Sequence, residues 1–184
     1  MKNINFINLT VQNSTYNGVF ISGAANVNIT RCDFTENGAS VPPGQKLLHN
    51  LLLTHCAGVN IKDSRLDTSP LGSGIALDHC SEVSITNCEI ARNGYYGILI
   101  AESKNISIQG NLVEANDRSG IMIEFLHQGS ENVTVSNNVI QYNNGFAIES
   151  YAAKNSKLEK NNYQGNGNNV KQEMITEERI ILMQ

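Results

Sequence analysis

Apolar residues in this chain come in short bursts, two positions apart, and the bursts recur. Val83-Ser84-Ile85 is followed by Cys88-Glu89-Ile90, a polar turn at Asn93-Gly94, and Gly97-Ile98-Leu99-Ile100. The same order returns at Ile106-Ser107-Ile108, Asn111-Leu112-Val113, Asn116 and Gly120-Ile121-Met122-Ile123. Each burst is too short for a helix, and the period of two is that of a strand. Three short strands per unit cannot bury an apolar face alone, whereas stacked units can.

Units begin at Ile4, Val27, Val59, Val83, Ile106, Val133 and Ser156, at spacings of 23, 32, 24, 23, 27 and 23 residues. Two positions after each start stand Phe6, Ile29, Ile61, Ile85, Ile108, Val135 and Leu158. Seven positions after stand Val11, Phe34, Leu66, Ile90, Val113, Ile140 and Tyr163. One inward side chain therefore lies above its counterpart in the next unit. Asparagine is in register too: Asn3, Asn26, Asn105, Asn132 and Asn155 precede the starts. Asn111, Asn138 and Asn161 hold the fifth position, and Asn37, Asn93, Asn116, Asn143 and Asn166 the tenth. Asparagine tolerates left-handed backbone and forms amide ladders, which accounts for 26 Asn in 184 residues.

This pattern, from Ile4 to about Gly167, resembles the right-handed parallel β-helix of the pectate-lyase-like superfamily. The expected fold is all-β: a solenoid of about seven coils with three short strands each, a rod of roughly 35 Å at one strand spacing per coil. Residues 1–169 are read as one β-helix domain, a piece of a longer solenoid, and 170–184 as a tail or cap. Coil six reads as shortened before Gly145-Phe146, and coil seven as lacking a third strand.

Two insertions interrupt the repeat, Ala39 to Asn50 with its Pro42-Pro43-Gly44, and Phe125 to Gly129. Insertions in solenoids form loops on one face, often the binding face. The net charge of −4, with Lys and Arg scattered, gives no basic patch; nucleic acid is disfavoured as a partner. No apolar run is long enough to cross a membrane, and no signal peptide is visible in Met1 to Phe6. The four cysteines do not form a disulfide framework. Cys56 and Cys80, each preceded by His, lie one coil apart. They are read as small buried residues, with a disulfide or a metal site as the alternative.

Aligned third strands give an outward apolar column of Phe20, Leu52, Ala76, Leu99, Met122 and Ala147, either covered or a ligand floor. The next outward column is Ser22, Thr54, Asp78, Ala101, Glu124 and Glu149, beside His55, His79, Glu102 and His127. These acids and histidines are either solvated turn residues or a polysaccharide site along the rod. Paired carboxylates one or two coils apart, about 5 or 10 Å, also suit glycoside hydrolysis.

Asp78-His79, with Val83 to Cys88 and Ala91-Arg92-Asn93-Gly94 after it, is similar to the catalytic module of mannuronan C5-epimerases. There an Asp-Pro-His motif ends a strand. Asn116-Asp117-Arg118-Ser119-Gly120 resembles that family's Asn-Asp-Arg-x-Gly. The proline is absent here, and Ile75 stands where the family has tyrosine. The resemblance implies an epimerase or lyase acting on an acidic polysaccharide by C5 proton abstraction. Arg118 would neutralise the substrate carboxylate. His79, a residue type that titrates near neutrality, would be the base, with Asp78 and Glu124 as the other catalytic groups. His55, Tyr95, Tyr96, Glu102, His127 and Glu149 would bind sugar, the tyrosines by stacking. A glycoside hydrolase and a non-catalytic surface β-helix are the rivals. Calcium is the one cofactor that the resemblance suggests, although no Asp-rich loop of recognised spacing occurs. It also implies an extracellular or cell-surface location. An uncovered first coil would favour end-to-end or flanking-domain association.

Overall fold

A computed structural model describes residues 1–40, 47–151, 153–172 and 181–183. Pro42-Pro43-Gly44 and most of the tail lie outside these residues. Every ladder is parallel, and the chain winds as a right-handed β-helix of three sheets. A typical coil contributes Ser81–Thr86 to the first sheet, Glu89–Ala91 to the second and Ile98–Ala101 to the third. The next coil lays Lys104–Gln109, Leu112–Glu114 and Ile121–Glu124 beside them.

The expected stacking is the observed register. Ile4, Val27, Val59, Val83, Ile106 and Val133 are successive partners in the first sheet, and Val11, Phe34, Leu66, Ile90, Val113, Ile140 and Tyr163 in the second. Ile29, Phe34, Ile61, Leu66, Ile85, Ile90, Ile108 and Val113 are fully buried in one continuous column of hydrocarbon. Two turns of sequence determine nothing alone here; burial requires the coil above and the coil below.

Asparagine does two different jobs. The column before each start is a left-handed one: Asn3, Asn26, Asn105, Asn132 and Asn155 have φ between 49° and 60°. Gly58 and Glu82 fill the same place in coils three and four. The two other columns are buried ladders without left-handed backbone. Asn93 Nδ2 donates to Asn116 Oδ1 at 2.9 Å, Asn116 Nδ2 to Asn143 Oδ1 at 2.8 Å, and Asn143 Nδ2 to Asn166 Oδ1 at 2.8 Å. Each Oδ1 also accepts the backbone N–H of the preceding rung. Asn50, at the end of the first insertion, joins this ladder between Asn37 and Asn93. Sequence spacing did not place it there.

Glycine before the third strand lets successive coils close on this ladder. A Cβ on Gly97 would lie 2.6 Å from the Gly120 carbonyl oxygen and 2.9 Å from Asn116 Nδ2.

Two expectations are corrected. Coil seven has a third strand, Asn168–Gln172, which pairs with Phe146–Ser150 and crosses the expected boundary at residue 170. Ile181–Met183 then adds to the first sheet beyond Lys157–Glu159. Coil six is not shortened: Ile121 pairs with Ile148 and Met122 with Glu149. The pairing keeps the Asn116–Asn143 ladder in register, since the paired Ile121 and Ile148 each stand five residues after their asparagine. Ala147 is consequently fully buried and does not belong to the outward column.

All four cysteines are free and buried. Burial pushes the Cys80 and Cys88 thiols up to about 11.

Candidate functional site

The outer face of the third sheet has an apolar column in register: Phe20, Leu52, Ala76, Leu99 and Met122, ending on Glu149. Phe20 is exposed, whereas Ala76 and Met122 are buried. Beside it run Ser22, Thr54, Asp78, Ala101 and Glu124. Asp78 and Glu124 are therefore two coils apart, about 10 Å between backbones. The corrected register moves Glu149 out of that column, so Glu124 and Glu149 are diagonal neighbours and not a stacked pair.

Two hollows lie on this face. The first, about 490 Å³, has Leu52, Ala76 and Leu99 as its floor and Asp78 and Glu124 on its rim. Leu47 and His49 from the first insertion and Leu126 from the second line it as well. His49 is buried; its Nδ1 accepts the Ser73 N–H at 3.0 Å. Burial lowers its pKa to about 4, which makes it a neutral wall at physiological pH. The sequence reading passed over His49, because only the folded insertion carries it onto the third sheet.

The second hollow, about 580 Å³, is lined by Tyr96, Arg118, Ser119, Met122, Glu124, Glu149 and Tyr151, among others. Glu124 borders both hollows. The Arg118 guanidinium sits 4.0 Å above the Tyr95 ring, which meets Tyr96 edge-on at 4.8 Å. Glu149 accepts hydrogen bonds from Ser119 Oγ at 2.6 Å and from the Tyr151 hydroxyl at 2.7 Å. Desolvation pushes Tyr96 up to about 12, helped by Tyr95 and Glu149 and opposed by Arg118. Its phenol is protonated at neutral pH. Ser119 was visible in the Asn-Asp-Arg-Ser-Gly run, but its role became visible only when Glu149 arrived from the next coil.

The remaining candidates gather at the turn after the third strand. His79 Nδ1 meets Asp78 Oδ1 at 2.7 Å, and the His55 and His79 rings stack at 4.9 Å. Both histidines have left-handed backbone, with φ of 54° and 52°. Glu102 holds the same turn position in the next coil, φ 49°. Its carboxylate accepts the backbone N–H groups of Leu126, His127, Gln128 and Gly129 at 2.7–3.3 Å. Desolvation raises its pKa, but these hydrogen bonds together outweigh it, so the net shift is downward. His127 is exposed in the loop so anchored.

The structure thus separates the expected site into two groups. Arg118, Tyr96, Glu149 and Glu124 share one hollow, with Tyr95 packed under Arg118. Asp78 meets them only through Glu124, across the first hollow. Arg118 precedes its strand and Asp78 ends one, a backbone separation of roughly 20 Å along the strands in addition to two coils. Among the described residues no group of three or more His, Cys, Asp or Glu side chains is placed to hold a metal ion. Among the described residues the acidic donors are therefore too dispersed for the oxygen cage that calcium takes.

Sequence and structure comparisons agree with this architecture. A model of the family described as the right handed beta helix region matches residues 2–174. No curated protein matches the sequence. Among solved structures the chain is similar to the periplasmic alginate epimerase AlgG, at 18% identity and TM-score 0.64, covering 95% of this chain and 44% of that one. It is also similar to the Azotobacter vinelandii mannuronan C-5 epimerase AlgE4 A-module, at 12% identity and TM-score 0.54, covering 95% and 58%. The Streptococcus pneumoniae surface protein and adhesin PfbA is similar at 12% identity and TM-score 0.61, covering 100% and 67%. The chain spans less than half the length of AlgG. At these identities the likeness is one of fold.

Proposed function

The chain belongs to the right-handed β-helix family, and from that premise we propose that it acts on an acidic polysaccharide lying along the outer face of its third sheet. One observation supports this reading above others. Of the described residues lining the two hollows, Arg118 is the single permanent cation; it lies over the Tyr95 ring and lines the same hollow as the Ser119–Glu149 hydrogen bond. A guanidinium held in that way suits a uronate carboxylate. The apolar column beneath suits the hydrophobic face of a sugar ring.

The reaction class is proton abstraction at C5. Arg118 neutralises the carboxylate, so that charge spreading from C5 onto it on deprotonation is stabilised. Glu124, which borders both hollows, accepts the C5 proton. For epimerisation a protonated group, for which Tyr96 is suited, returns a proton to the other face of C5. For elimination the C4–O bond breaks instead, and the leaving oxygen takes a proton. His79, oriented by Asp78, lies two coils from Arg118 and outside the hollow that Arg118 shares with Glu124; this pair is assigned to a flanking sugar unit. AlgG, which shares the fold, is a periplasmic protein and PfbA a surface protein, which supports an extracellular or surface location.

A second reading is supported by one feature: Asp78 and Glu124 border the same hollow two coils apart, a separation close to that of inverting glycosidases. Incubation with polymannuronate, pectate and neutral glycans distinguishes the readings. An epimerase incorporates deuterium at C5, a lyase produces an ultraviolet-absorbing unsaturated uronate, and a hydrolase produces reducing ends without that absorbance. Arg118→Ala should abolish the first two signals. Full activity in that variant would remove Arg118 from the site. Binding without turnover would identify a surface receptor for glycan.

A further inference from the structure

We infer that Glu102 is a positioning residue that fixes one wall of the sugar-binding face by holding the loop of residues 125–129 in place. The observation is a convergence of donors. The four consecutive amides of Leu126, His127, Gln128 and Gly129 all donate to one carboxylate. Successive N–H groups around a point form an anion-binding nest, and here the chain supplies its own anion. No other hydrogen bond from these amides is present among the described residues. The backbone of the loop therefore hangs from a single side chain of the preceding coil.

The position explains why a glutamate is needed. His55, His79 and Glu102 occupy equivalent left-handed turns on successive coils. The two histidines stack on each other. At the next rung the five-residue insertion follows the third strand, and a ring could not satisfy four donors. A carboxylate with two oxygens and four lone-pair directions can. Aspartate, one methylene shorter, would fall short of amides now 2.7–3.3 Å from the carboxylate oxygens.

The consequence reaches the groove. Leu126, the first residue of the anchored run, lines the 490 Å³ hollow opposite Leu47 and His49, although nearly half of it remains exposed. Without the anchor, four amides would turn to water and Leu126 would lose its fixed place. The hollow would then be open on that side. Glu102 thereby sets which sugars fit beside Asp78 and Glu124 without touching them. This last step rests on the reading of the third-sheet face as a polysaccharide site; the anchoring itself does not.

Hydrogen exchange and binding of oligomannuronate to the intact chain test both parts. In Glu102→Gln, and in Glu102→Asp, exchange of the 126–129 amides should accelerate at least about tenfold, while amides of the Ile121–Glu124 strand stay protected. Leu126→Ala should leave loop protection unchanged. It should weaken oligomannuronate to about the same degree as Glu102→Gln, several-fold in dissociation constant. Unchanged protection in both Glu102 variants would overturn the anchoring. Accelerated exchange with unaltered affinity would overturn the link to the groove. Accelerated exchange in a protein that binds no glycan even as wild type would keep the anchor and overturn the polysaccharide reading, taking the specificity role with it.

Discussion

Asn116→Ala tests the physical core of this fold, the buried amide ladder. Asn116 is fully buried. Its Oδ1 accepts two donors from the coil below, Asn93 N–H at 3.1 Å and Asn93 Nδ2 at 2.9 Å. Its Nδ2 donates to Asn143 Oδ1 at 2.8 Å and to the Ile90 carbonyl at 3.4 Å. Truncation to alanine leaves the Asn93 N–H orphaned, because Asn93 Nδ2 alone retains a second acceptor at the Leu66 carbonyl. An orphaned buried donor costs about 1–3 kcal/mol, and each lost neutral hydrogen bond about 1 kcal/mol more. The orphan and the three other lost bonds sum to about 4–6 kcal/mol, a large share of the stability of an ordinary domain. The control is Asn132→Gly. Asn132 donates to Asn105 at 2.9 Å on the exposed side, with φ 55°. Glycine keeps that backbone, and water replaces the lost bond, so about 0.5 kcal/mol or less is expected. The chain has no Trp and six Tyr, so tyrosine fluorescence and circular dichroism follow unfolding in urea. Comparison of midpoints at unchanged slope gives the difference. Equal shifts for the two variants would refute the argument that buried satisfaction, and not amide pairing as such, holds the coils in register.

Three further outcomes follow from the same structure. His49 is held neutral when folded, with a pKa lowered to about 4, so the unfolded chain binds one more proton between there and its ordinary value. Stability contributed by this residue should fall as pH drops from about 6.5 toward 4, by about 3 kcal/mol in all; His49→Gln should flatten that part of a melting-temperature profile, and an unchanged slope would contradict the neutral assignment. Gly97→Ala should destabilise by about 2 kcal/mol or more, since its Cβ would press on the Gly120 carbonyl and the ladder amide; a neutral effect in thermal unfolding would mean the coils are less closely packed than described. The four cysteines should resist a thiol reagent at pH 8 in the native protein and react fully in denaturant; rapid native labelling would show that their burial is not maintained in solution.

The solenoid was legible in the residues because its rules are local and repeated. Alternation at period two identifies strands, and recurrence of Val83, Ile85 and Ile90 at Ile106, Ile108 and Val113 sets register without knowledge of the third dimension. Asparagine columns were legible for the same reason, although their division into left-handed turns and buried ladders was not, since both use one residue type. In coil six a local likeness misleads. Gly145-Phe146 looks like Gly120-Ile121, but ladder pairing through Asn116 and Asn143 outweighs that likeness and aligns Ile148 with Ile121. A glycine before an apolar residue is weak local evidence, whereas a buried amide without a partner is costly.

Legible in the residues alone is the winding: three strands per coil, the inward side chains of the first two sheets, and the face on which the acids and histidines fall. The tertiary structure alone decided which of those groups meet. Asn50 completes a ladder from within an insertion, His49 becomes a neutral wall, and Arg118, Ser119 and Glu149 converge from neighbouring coils, as do Glu102 and the 125–129 loop. The reason is the range of the forces involved. Strand periodicity is set by neighbours along the chain, whereas hydrogen bonds between side chains depend on positions to within about half an ångström, which only the packed coils supply.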